Sequence, residues 1–302
     1  MVENRRGFIL GAAAYAMWGL FPLYWTLLEP AGAIEILAHR VFWSLAVMAA
    51  LVVVLRRRTQ FIALVANPRT RMILVIAAVV IAFNWGGYIW GVNNGHVVET
   101  SLGYFINPLV TVLMGVFIIG ERLRTLQWVA MGIAGVAVIG LTVELGRPPW
   151  VALLLAFSFG SYGLAKKKAN AGAVESLALE TLVLAPLALG YILFLTAQGT
   201  STFASAGTGH TLLLLSTGIF TAIPLICFGA AATRVSMTTL GLLQYLAPTI
   251  QFALGVFVFD EPMPHARLLG YALVWVALAI FTVEAVNHRR RQLRLTTEAS
   301  AL

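Results

Sequence analysis

Ten runs of mostly apolar residues, at 7–28, 34–55, 72–92, 100–119, 125–145, 150–165, 174–195, 211–232, 237–258 and 267–286, alternate with short polar connections. A helix needs about 20 apolar residues to cross the hydrocarbon core. The runs are continuously apolar rather than alternating, which excludes a membrane β-barrel. Only helices then satisfy the backbone in lipid. The pattern predicts an all-α membrane protein with ten transmembrane helices. Short connections make neighbouring helices antiparallel. The longer connection 196–209, rich in Gly, Ser and Thr, is expected to be an exposed outer loop.

The runs carry a repeat. Pro108, Gly115, Val116, Phe117 and Glu121 recur 140 positions later as Pro248, Gly255, Val256, Phe257 and Glu261. Trp18-Gly19-Leu20 is echoed by Tyr162-Gly163-Leu164. Ser101-Leu102-Gly103 is echoed by Thr239-Leu240-Gly241, offset by two residues, so the ninth span holds a small insertion. The chain reads as two five-helix repeats, 7–145 and 150–286, divided near Gly146–Pro149, with a basic tail at 287–302. Five is odd, so the second repeat enters from the opposite face and lies inverted. Inverted repeats about a midplane axis are the architecture of alternating-access transporters.

Charge supports this topology. The chain is 60% hydrophobic and 11% charged, whereas soluble domains carry about 25% charged residues. Of 20 Lys and Arg, 17 lie in alternate connections: Arg5 and Arg6, Arg56–Arg58 with Arg69 and Arg71, Arg122 and Arg124, Lys166–Lys168, Arg234, and the tail arginines. Short basic loops remain in the cytoplasm, which places both termini there. The net charge of +8 is thus a topology signal, and no nucleic-acid partner is expected. The apolar stretch ahead of Ala14-x-Ala16 is shorter than a signal-peptide core, so the first run is a retained span.

Ionisable residues within spans face a partner or an aqueous cavity. Glu35, His39 and Arg40 open the second span, and Glu175 and Glu180 repeat the Glu35–Arg40 spacing in the seventh. Glu35, His39, Arg40 and Glu180 are candidates for gating or coupling, weighed against structural ion pairing. Glu180 has no opposite charge in its own span, so it is neutralised from elsewhere or protonated, and protons are the candidate coupling ion. Tyr15, Trp18, Asn84, Trp85, Tyr88, Asn93, Tyr104, Asn107, Tyr162, Gln244 and Tyr245 are candidates for the substrate pathway. Amides near mid-span need partners, and together with aromatic rings they form a cavity that stacks planar groups. Trp25, Trp90, Trp150 and Trp275 read as an interfacial belt. Glycines 7, 11, 87, 91, 132, 135 and 140 read as close helix packing. Glu121 and Glu261 read as turn and capping residues.

A single aspartate, Asp260, and five dispersed histidines build no metal site, and no catalytic constellation or nucleotide loop is present. No cofactor and no enzymatic activity are expected. Cys227 can form no internal disulfide.

The duplicated Pro-x6-Gly-x5-Glu unit and basic tail resemble the EamA-type drug/metabolite transporters. Glu35-Ile-Leu-Ala-His39-Arg40, Asn84-Trp85 to Asn93-Asn94, Ser101-Leu-Gly-Tyr-Phe-Ile-Asn107-Pro108, Ala231-Ala-Thr-Arg234 and Gln244-Tyr245 resemble the RarD branch. The resemblance implies a chloramphenicol-sensitive permease of the plasma (inner) membrane with a cavity lined mainly by spans one, three, four, six, eight and nine, working in efflux. The second repeat departs in having Asp260 before Glu261 where the first has Gly120 before Glu121. The resulting expectation is a secondary active transporter of a small organic solute such as an amino acid, related metabolite or drug, neutral or zwitterionic. The alternatives are a sensor or assembly protein without transport activity, and a lipid-modifying enzyme. Oligomeric state stays open between monomer and homodimer.

Overall fold

The computed structural model describes residues 5–94, 96–258 and 268–284 except 271, 274, 281 and 282, with backbone alone at 92, 93, 97, 98 and 144. Asp260, Glu261 and the tail 287–302 lie outside the described residues. The elements are α1 (Arg5–Trp25), α2 (Ala33–Val54), α3 (Arg58–Ala66), α4 (Pro68–Asn93), α5 (Val97–Met114), α6 (Thr125–Leu145), α7 (Trp150–Ala169), α8 (Ala173–Ala197), α9 (Thr208–Ala232), α10 (Met237–Leu243) and α11 (Leu246–Phe257). Eight helices among the described residues are long and apolar enough to cross a membrane, counting α10–α11 as one. Of the two further runs expected to span, 150–165 is helical within α7, and 267–286 is described as the shorter apolar helix Leu268–Ile280. Phe117, Leu187 and Val143 point outward with more than 70% of their surface exposed, as lipid-facing residues must when the surroundings are hydrocarbon.

The helices pack as α5 with α7 and α10, α4 with α7 and α8, α2 with α8 and α9, and α1 with α9 and α11. Glycines set several approaches. A Cβ at Gly7, Gly11, Gly87 or Gly91 would lie 2.6–2.8 Å from a neighbouring side chain. At Gly218 it would lie 2.5 Å from the Trp43 carbonyl carbon, so α2 and α9 touch backbone to backbone. Gly132, Gly135 and Gly140 differ from expectation, because nothing described comes within 4 Å of an added Cβ there.

The insertion in the ninth span has a visible form. Gly241 and Pro248 are two residues further apart than Gly103 and Pro108, and the helix breaks between them at Gln244–Tyr245. α5 instead continues through Pro108 and ends in a π-helical turn, Gly115–Ile119. The basic connection after α2 contains the unanticipated short helix α3.

The repeated Pro-x6-Gly-x5-Glu unit acquires a physical account in its first copy. Gly120 adopts φ 81°, which turns the chain at low cost only for glycine. Glu121 then folds back past Gly115, where a Cβ would stand 2.9 Å from its carboxylate. Its oxygens accept from the Met237 and Thr238 amides at 2.6 and 2.9 Å and from the Thr238 hydroxyl at 2.7 Å. Glu121 therefore caps α10, more than a hundred residues away, rather than the helix that follows it. Ser236 caps the next amide, Thr239, at 3.0 Å, so the first three amides of α10 are satisfied.

Candidate functional site

A cavity of about 260 Å³ lies among α1, α2, α4, α5, α7, α9 and the α10–α11 break. Eight of the eleven residues expected along a pathway line it: Tyr15, Trp18, Asn84, Trp85, Tyr88, Tyr104, Asn107 and Gln244. Two others point elsewhere. Tyr162 is 1% exposed and donates its hydroxyl to Glu180 at 2.9 Å, while Tyr245 packs with Phe105 and Ala137 on the far side of the α10–α11 break. The Asn93 side chain lies outside the described residues. The sequence did not single out Phe21, Pro22, Thr100 or Phe159, which also line the cavity, as does Gln251. Trp25, read from sequence as part of the interfacial belt, lines it too.

The wall amides are partly committed to holding helices together. Asn84 Nδ2 donates to Leu155 O and Ser158 Oγ at 2.9 Å each, tying α4 to α7. The Gln244 amide and the Thr111 hydroxyl bond at 3.0 Å, fixing the break against α5. Asn107 Oδ1 is buried and has no partner among the described residues.

Arg40 is the charged member of the lining. Its Nε donates to Thr221 Oγ1 at 3.0 Å, and its guanidinium lies 4.6 Å from the Trp25 ring centre and 5.3 Å from that of Trp85. Such cation–π contacts hold a cation where few acceptors exist. The other residues of its cluster are committed elsewhere. Glu35 accepts from Ser201 Oγ at 3.0 Å and Thr202 N at 2.7 Å, which docks the start of the 198–207 connection onto α2. That connection, expected to be an exposed outer loop, is exposed from Ala204 to Gly207 but has Ser201, Thr202 and Phe203 half-buried. His39 accepts from Trp43 Nε1 at 3.1 Å and stacks on Phe203. No direct Glu35–His39 or Glu35–Arg40 pair forms among the described residues.

Beyond the cavity floor lies a second polar centre. Tyr15, Trp18, Phe159 and Phe228 form an aromatic cluster, with ring centres 5.3–6.1 Å apart, and Tyr162 stacks on Phe228 at 5.6 Å. Behind it, Lys166 Nζ donates to Glu180 at 2.6 Å and to Ser176 at 2.8 Å. Both members of this ion pair are at most 3% exposed. Lys166 thus corrects the expectation that all three lysines of 166–168 lie in a loop: α7 runs to Ala169 and its Lys166 turns inward. It is the counter-charge that Glu180 required.

These features define a multi-pass helical membrane protein built around a central aromatic cavity. Residues 5–143 match the EamA-like transporter family. Over 299 residues the chain is 58% identical to Protein RarD of Streptomyces exfoliatus, covering 99% of this chain and 95% of that protein. It is 41% identical to Protein RarD of Escherichia coli K12, covering 96% and 98%. It is 30% identical to the chloramphenicol-sensitive protein RarD of Pseudomonas aeruginosa, covering 96% and 97%. A solved crystal structure superposes with a TM-score of 0.71 at 21% identity over 92% of this chain and 98% of that one, a likeness of fold. The chain belongs to the EamA-like transporter family, in its RarD branch.

Proposed function

We propose that this protein is a secondary active transporter of the inner membrane, moving a small organic solute such as an amino acid, related metabolite or drug by alternating access. One observation carries the reading. When the first five spans are exchanged with the last five, the helix pairings interchange. The α5–α7 pairing becomes α1–α11, α4–α7 becomes α1–α9, and α2–α9 becomes α4–α8. The α2–α8 and α5–α10 pairings map onto themselves. Two interchangeable halves, 7–145 and 150–286, around one cavity are what a rocking transporter needs, and the odd span count makes them inverted.

With both termini in the cytoplasm, Trp25, Tyr88 and Tyr104 lie toward the outer end of their spans. The cavity then faces outward, and the aromatic cluster with Lys166–Glu180 seals the cytoplasmic side. Arg40 and Glu180 occupy equivalent places in the halves, 140 positions apart. Glu180 is the candidate proton-coupling group: taking up a proton would release Lys166 and loosen the seal. Export is the direction the family resemblance supports.

Counterflow in proteoliposomes tests the reading. Vesicles loaded with an unlabelled amino acid or amphenicol are expected to accumulate the labelled solute above empty vesicles. A protein that binds such a solute without ever exchanging it is a sensor or assembly protein, and the transport reading falls. Transport by Glu180→Gln that keeps the wild-type pH profile removes the coupling role.

A further inference from the structure

The cavity lining is unbalanced in charge, and the imbalance bears on the solute. Arg40 is the one charged residue among the described residues that line the cavity, which contains no Asp or Glu. No carboxylate lies within ion-pair distance of Arg40 among the described residues, whereas Glu180 is spent on Lys166 and Tyr162, and Glu35 on Ser201 and Thr202. A guanidinium has five N–H donors. Only the Nε–H of Arg40 has a described protein acceptor, Thr221 Oγ1. The remaining fork has the geometry that a carboxylate matches with two parallel hydrogen bonds.

The surroundings make water a poor substitute for an anion. Trp25 and Trp85 lie against the guanidinium within 5.3 Å, and their faces exclude solvent from part of its shell. A cation in such a place keeps a free-energy debt that a counter-ion relieves. The described lining holds no carboxylate to pair with an ammonium. The other walls are aromatic. A volume of about 260 Å³ falls just below the usual range for drug-sized ligands.

We propose that the cavity takes a small aromatic monocarboxylate as a net anion, its carboxylate on the Arg40 fork and its ring against Trp18, Trp85 and Tyr104. This rests on the transport reading of the cavity and narrows it, replacing the neutral or zwitterionic solute expected from sequence. Arg40 acts here in binding, held in position by Thr221 and the two indoles.

Matched probes test it: benzoate against benzamide, phenylacetate against phenylacetamide, and indole-3-acetate against indole-3-acetamide. Each is titrated into the purified full-length protein and read by tryptophan fluorescence and by the shift in thermal unfolding. A hydrogen-bonded charge contact predicts that the carboxylate of each pair binds at least about tenfold tighter than its amide. Arg40→Gln abolishes that preference, and Arg40→Lys, which keeps the charge but not the fork, retains part of it. Equal binding of acids and amides by the wild-type protein overturns the proposal, even if the variants fail to fold. So does a preference that survives in Arg40→Gln. Counterflow on the same preparations separates the two ideas: exchange of amides or zwitterions without acid preference removes the anion and leaves transport standing. Absence of binding and exchange for every probe removes the anion, while counterflow of an amino acid or amphenicol on the same preparation decides transport separately.

Discussion

Replacing Lys166 by Met leaves the Glu180 carboxylate fully enclosed, with only the Tyr162 hydroxyl at 2.9 Å to solvate it. Replacing Glu180 by Leu leaves the Lys166 ammonium enclosed with only Ser176 at 2.8 Å. Each side chain is at most 3% exposed, so water cannot rescue either remnant. Removing one partner of a buried pair costs about 3–5 kcal/mol, so two independent effects would total about 6–10 kcal/mol. The double variant Lys166→Met/Glu180→Leu removes both charges together. Ser176 keeps its bond to Ala173 O at 3.2 Å, and only the Tyr162 hydroxyl loses its acceptor, a loss of about 1–3 kcal/mol. The double variant is therefore expected to be more stable than either single one. Unfolding free energies in mixed micelles, titrated with a denaturing detergent, give the three values. A double variant that loses as much as the two single variants combined refutes the claim that the charges are enclosed and mutually dependent.

Three further outcomes are expected. Gly218→Ala forces a Cβ against the Trp43 backbone 2.5 Å away, and overpacking of this kind costs about 1–3 kcal/mol. Gly132→Ala, where nothing described lies within 4 Å, gains up to about 1 kcal/mol in helix propensity, and the same denaturation assay ranks the two. Glu121→Ala strips the cap from α10 and lowers stability by about 0.5–2 kcal/mol, and an unchanged unfolding free energy would show that these bonds do not hold α10. In a Cys227→Ser background, cysteines placed at the exposed positions Arg56 and Lys168 react with an impermeant maleimide from the cytoplasmic side, and one at Thr200 reacts from outside. Labelling of positions 56 and 168 from opposite sides breaks the inverted topology.

The helical state of the apolar runs could be read from sequence because insertion into lipid is a local property: each residue adds its own transfer free energy, and about 20 in succession decide a span. The family strings were legible for the same reason, being contiguous, and most of the aromatic and amide residues singled out do meet at one cavity. Rotation of each helix about its axis was not legible. A soluble helix marks its buried face with apolar residues, but in lipid both faces are apolar, and the spans have little amphipathic asymmetry to reveal which side meets protein. Hence Tyr162 and Tyr245 could not be told from Tyr15 and Tyr104. Lys166 could not be told from its neighbours Lys167 and Lys168, and Glu121 gave no hint that its carboxylate reaches the far half of the chain. Those assignments depend on residues distant in sequence coming within 3 Å, and only the packing of the helices brings them there.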